Sequence, residues 1–214
     1  MHTSLAHRLT VVALVVVGLA TVGGGAAAAA PLDLRAGPRE EPLVTLVWVG
    51  RGECERYENG TFVRRPELDY ELTVTQRRYA DRWESVKTMR RLDPAYDGVA
   101  GPREQFLGFH LGLAATSPGR AGGAIRSTLG DGRWDADAEI RESVITLHAN
   151  VSSMAPFDTY RIVQHYRYEE GELEETVELR HGGPEGEIWV RNQEHARLYA
   201  VSRFDRAPTI VGAE

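Results

Sequence analysis

Leu68-Asp69-Tyr70-Glu71-Leu72-Thr73-Val74-Thr75 is the stretch that decides the fold class. Leu68, Tyr70, Leu72 and Val74 alternate with Asp69, Glu71, Thr73 and Thr75, so an extended backbone turns one face apolar and the other polar. This is the pattern of a half-buried strand, and its β-branched and aromatic content suits a pleated surface. Working outward, Trp83 to Arg90, Gln105 to Leu113, Ile140 to Ala149, Thr159 to Tyr168, Glu172 to Arg180, Gly186 to Arg191 and Ala196 to Phe204 share the period of two. Leu43 to Val49 is apolar on both faces, as a central or barrel-closing strand is.

Turn residues fall between these runs: Asn59-Gly60, Asp93-Pro94, Asp97-Gly98, Asp131-Gly132, Glu170-Gly171 and Gly182-Gly183-Pro184. Asn59-Gly60 and Asp131-Gly132 read as tight hairpins, because both residue types tolerate positive φ. Ser117 to Gly123, with Pro118, Gly119, Gly122 and Gly123, reads as a loop. No window of a dozen residues shows a helical period. The expected fold is therefore all-β: an antiparallel meander, closed as an up-and-down barrel or left as a strongly bent sheet.

The chain begins differently. After His7 and Arg8 comes an apolar run from Leu9 through Val22, then Gly23 to Gly25 and alanines to Ala30. Residues 1–30 have the layout of a cleavable signal peptide, with the small side chains that a signal peptidase accepts. The expectation is export to the periplasm or the medium, with no membrane span after processing. Residues 31–42, rich in Pro, Arg and Glu, read as a flexible lead-in, and 43–214 as a single β domain. The one cysteine, Cys54, excludes an internal disulfide, so the domain must rest on its core alone.

The formal net charge is −6, and removing residues 1–30 deletes only Arg8 among the counted charges, leaving the rest one unit more acidic. That balance argues against a nucleic-acid partner, which would need a basic face. Lys87 is the only lysine among 25 basic residues, which reads as the codon bias of a GC-rich bacterial genome.

Trp48-Val49-Gly50-Arg51-Gly52-Glu53 resembles the opening of calycin-type small barrels, the lipocalin-like and nitrobindin-like proteins. The resemblance covers this hexapeptide and the strand order. It implies a calycin-like barrel in which Trp48 closes the floor, and glycines let the first strand curl across a neighbour. Nitrobindin-like barrels hold haem through a His on a late strand, so the resemblance makes His195 a candidate haem ligand.

Four residues are candidates for ligand binding: His195, His110, Trp48 and Trp83. His110 sits between Gly108 and Gly112, opposite the apolar face of Leu107, Phe109, Leu111 and Leu113. Those glycines leave room for a ligand beside the imidazole, or for a close-packed neighbour, which is the simpler reading. His165, Arg161 and Arg167 make one cationic strand face, which suits an anion but is explained more simply by pairing with Glu172, Glu174, Glu175 and Glu178. Asp131, Asp135, Asp137 and Glu139 share parity, as ligands of a hard cation would; a charged, solvated edge strand accounts for them.

No nucleophile elbow, His-Glu-x-x-His, phosphate-cradling glycine loop or Cys-x-x-Cys is present. Three functions remain. A binder of a small apolar ligand follows from the barrel and from Trp48, Trp83, Trp134 and Trp189. A cell-envelope interaction or structural module follows from the acidic, motif-free surface. An enzyme would need His110, His165 or His195 to gather with acids.

Overall fold

A computed structural model describes residues 40–98, 102–149, 157–204 and, for the backbone, 206–210. The signal peptide and most of the lead-in read from the sequence lie outside the described residues. Among the described residues thirteen strands follow one another: β1 (Val44–Glu58), β2 (Thr61–Arg64), β3 (Tyr70–Arg78), β4 (Arg82–Arg91), β5 (Glu104–Gly112), β6 (Ala114–Ser117), β7 (Arg120–Ser127), β8 (Gly130–Asp137), β9 (Glu142–Ala149), β10 (Thr159–Arg167), β11 (Glu172–His181), β12 (Glu187–Arg203) and β13 (Arg206–Ile210). One short 3-10 turn, Pro66–Leu68, precedes β3.

Ten of them close an antiparallel barrel in the order β1-β3-β4-β5-β7-β8-β9-β10-β11-β12, with β12 pairing back onto β1. The seam runs from Val44 opposite Arg203 to Arg56 opposite Val190, so two long strands bind the ends of the meander together. β2, β6 and β13 lie off the ring, against β1, β7 and β12. Closure pairs each of the ten wall strands on both sides and leaves open edges, the general hazard of exposed strands, only on β2, β6 and β13.

Glycine makes the seam possible. A Cβ on Gly50 would lie 2.0 Å from the His195 carbonyl oxygen and 2.5 Å from Ala196 Cα, and one on Gly52 would lie 2.2 Å from the Tyr70 ring. The strand therefore bends over its neighbours only where side chains are missing. Asn59 and Gly60, at φ 51° and 89°, form the two-residue hairpin between β1 and β2.

Four expectations change. Asp131-Gly132 lies inside β8 and is not a turn: a Cβ on Gly132 would lie 2.0 Å from the Thr146 carbonyl oxygen, so this glycine serves close strand approach. Ser117 to Gly123 is not a loop throughout, because β6 and β7 pair across Pro118 and Gly119. The acidic strand β8 is not an edge; it pairs with both β7 and β9. Gly186 to Arg191 and Ala196 to Phe204 belong to one strand, β12, because the polar residues between them continue its alternation.

Candidate functional site

The barrel interior has three layers, each set by strand parity. At the closed end Trp48, fully buried on β1, donates through Nε1 to Gln76 Oε1 at 2.9 Å, and Gln76 Nε2 donates to Tyr166 OH at 2.7 Å. Trp48 and Trp83 both pack on Tyr166, with ring centroids 5.9 and 6.1 Å away. Trp48 is thus packed inside the barrel, and Trp83 joins it there.

The middle layer is ionic. Lys87, inward on β4, places Nζ 2.6 Å from Glu175 Oε2 and 2.6 Å from Glu194 Oε2, with all three side chains 2% exposed. Tyr70 OH donates to the other oxygen of Glu194 at 2.6 Å. Gln164 Nε2 donates to Glu175, and Ser143 Oγ donates to Gln164 Oε1 at 2.7 Å. A hydrogen-bonded chain therefore crosses the barrel from β9 to β3.

Burial alone would discharge Lys87, but the carboxylates of Glu175 and Glu194 outweigh it and hold the ammonium well above its ordinary range. The two acids divide. Burial pushes Glu194 up, beyond what Lys87 offsets and with help from Glu175, to about 7. Burial also acts on Glu175, yet Lys87 and its hydrogen bonds bring that carboxyl below its ordinary value. Glu194 is therefore the carboxyl of the pair that holds a proton more readily, and Lys87 and Glu175 stand as opposite charges beside it. Burial likewise raises the phenols of Tyr70 and Tyr160, so both stay protonated.

At the opposite end from Trp48 a cavity of about 70 Å³ opens to solvent. Leu68, Met89, Leu107, Leu129, Leu179 and Val190 supply its apolar wall. Its polar groups are Arg56, Arg91, Arg103, Gln105 and Asn192, with Tyr70 and Tyr160 adjoining the ionic layer. Cys54 also lines it; burial pushes the thiol up to about 11, which leaves it protonated and unreactive at neutral pH. A smaller void of about 20 Å³, enough for one water, lies on the floor side of Lys87 beside Trp83.

The structure separates the residues singled out from the sequence. Trp48, Trp83 and Trp134 face inward, whereas Trp189 is 36% exposed. His110 points outward, with Nδ1 3.9 Å from Glu84. His195 also lies on the outer wall, 66% exposed at the side chain and 3.9 Å from Glu174, in an open groove with Arg51, Arg167 and Arg197. A haem inside the barrel does not fit His195, because the imidazole is on the wrong side of the strand.

His165 faces out beside Glu142, and Arg167 pairs with Glu172 and Glu174 at 2.6 and 2.7 Å, the cross-strand pairing its sequence suggests. Glu175 departs from that pattern and faces inward. Among the described residues no cluster of His, Cys, Asp and Glu is arranged to hold a metal, including the carboxylates of β8. Titratable groups do converge in the barrel, but they are Lys87, Glu175, Glu194 and two tyrosines, and no histidine is among them.

No protein-family model matches the chain, and no curated protein matches it. Among solved structures, the crystal structure of Rv2717c from M. tuberculosis aligns at 11% identity with a TM-score of 0.44, over 71% of this chain and 90% of that one. At this level of likeness nothing about ligand or activity passes from that protein to this chain.

Proposed function

We propose that the protein is exported and binds a small ligand at the open end of its barrel, in the manner of calycin-like binding proteins. The observation that carries the reading is the placement of the cavity: floor and middle are filled by Trp48, Tyr166 and the Lys87 layer, and free volume opens where Leu68, Met89, Leu107, Leu179 and Val190 leave an apolar wall. Drug-sized ligands occupy pockets of roughly 300–1,000 Å³. A cavity of about 70 Å³ takes a small apolar group with its polar end toward solvent. Export rests on the layout of residues 1–30.

Binding is tested by titrating the isotopically labelled protein with 4-methylpentan-1-ol, an uncharged apolar probe. Saturable amide shifts confined to Cys54, Met89, Leu107 and Leu179 are expected. No shifts, or shifts spread over the outer wall, would favour the competing reading of a ligand-free envelope module, which the filled middle of the barrel supports. Export is tested by intact mass from an envelope or culture fraction, with a mature N-terminus expected between Ala27 and Pro31. Retention of Met1 overturns it.

A further inference from the structure

The cavity lining carries a charge bias and an unmet hydrogen-bonding demand. The chain as a whole is acidic, yet this lining contains Arg56, Arg91 and Arg103 and, among the described residues, no carboxylate. Arg91 donates to the Leu68 carbonyl and lies over Tyr70 and Tyr96, and Arg103 donates to the Pro94 carbonyl at 3.3 Å. Arg56 differs: its Nε is buried without a partner, as is Asn192 Oδ1. A buried polar atom left unmet costs on the order of 1–3 kcal/mol. Here a donor and an acceptor are left unmet around one cavity.

The register brings them together. Cys54 pairs with Asn192 and Arg56 with Val190, so Arg56 and Asn192 are diagonal neighbours across the seam, about 7–8 Å apart at the backbone. One compact group reaches both if it offers an acceptor to Nε and a donor to Oδ1. A plain alcohol can accept from Nε and donate to Oδ1, but it brings no negative charge to a lining that holds three arginines and, among the described residues, no carboxylate. A plain carboxylic acid, ionised at neutral pH, brings no donor for Asn192.

We propose that the ligand is a short-chain hydroxy acid whose carboxylate lies against Arg56, whose hydroxyl donates to Asn192, and whose apolar body packs on Met89, Leu107 and Leu179. The Lys87 layer beneath Tyr70 stops a longer chain from passing deeper. The proposal rests on the ligand-binding reading above and deepens it.

Three probes with one carbon skeleton test it by calorimetry and amide shifts: 2-hydroxy-4-methylpentanoate, 4-methylpentanoate and 4-methylpentan-1-ol. The hydroxy acid is expected to bind several-fold tighter than the acid, and the acid about tenfold or more tighter than the alcohol, as a charge-assisted hydrogen bond implies. Arg56→Met should erase the advantage of both acids over the alcohol. Asn192→Leu should erase only the advantage of the hydroxy acid over the plain acid. If the alcohol binds as well as the hydroxy acid, water alone satisfies Arg56 and Asn192; the hydroxy-acid class falls and ligand binding stands. If no probe shifts the cavity amides, both readings fall.

Discussion

The barrel holds two sets of inward charges a few residues apart, and they are built on opposite terms. In the middle layer Lys87 meets two carboxylates at 2.6 Å, and Glu194, Glu175, Gln164 and Tyr70 satisfy one another. At the open end Arg56 and Asn192 keep buried atoms with no partner. A buried charge with all its partners joins the strands that carry it; a polar group without them is a place for something else to bind. The contrast predicts opposite responses to the same kind of substitution.

Lys87→Met should show the largest effect. It leaves Glu175 and Glu194 together in a sealed interior, and breaking a buried pair from one side typically costs about 3–5 kcal/mol. Urea unfolding at pH 7 should show a loss of that size, shrinking at lower pH as the second carboxyl takes up a proton. The triple variant Lys87→Met, Glu175→Gln, Glu194→Gln, which removes all three charges, should recover much of the loss. If the single variant unfolds like the wild type, the middle layer does not hold the barrel together.

A second test separates the layers by pH. The Glu194 carboxyl titrates near 7 in the folded protein against an ordinary 4.5, so between those values the folded state keeps a proton that the unfolded chain has released. Its contribution is fully present below about 4.5 and is lost as pH rises through about 7. Carboxyls lowered in the fold, Glu175 and the arginine-paired Glu169 and Glu174 among them, act oppositely and lose their stabilisation as pH falls below their ordinary values. Denaturation midpoints should therefore peak near pH 5 and decline toward pH 8. Glu194→Gln should flatten the decline, and a decline unchanged in that variant would place the proton elsewhere.

The fold was legible because a wall strand with one face inside alternates, as Leu68 to Thr75 and Leu107 to Leu113 do; buried Gln105 and exposed Phe106 invert the pattern at the start of β5. It became illegible where glycine answered a neighbour and not a turn, as at Gly132, since close approach to Thr146 leaves no mark in local sequence. The interior was only partly legible. Trp48 was singled out from its hexapeptide and Trp83 as one of four tryptophans, and neither lines the cavity at the open end, whereas Lys87 was read as composition and Glu175 as an outward partner of arginine. Their signal lay in parity: Glu175 falls between Leu173 and Val177 on the inward face, and Glu194 two residues before Ala196. A charged residue in an apolar register is paired inside or misassigned, and only the far strands say which. His110 and His195 misled for the complementary reason, because a chemically versatile side chain attracts notice whichever way its strand faces.

The smallest expected effect is the most discriminating. Arg56→Met and Asn192→Leu should each change unfolding stability by about 1 kcal/mol or less, with the sign leaning toward stabilisation. Each removes a buried atom whose hydrogen bond the protein alone does not make, so the folded state regains a desolvation cost and loses no partner. Arg56 also sits at the end of the seam opposite Val190, where an apolar side chain extends the wall formed by Leu68 and Leu179. Chemical denaturation of both variants beside Lys87→Met puts the two charge layers on one scale. A loss of about 3 kcal/mol or more from Arg56→Met would mean that the open end is held by arginine as firmly as the middle is held by lysine. A neutral or positive change means that the fold does not need Arg56 and Asn192, whose polar atoms are then left for a ligand.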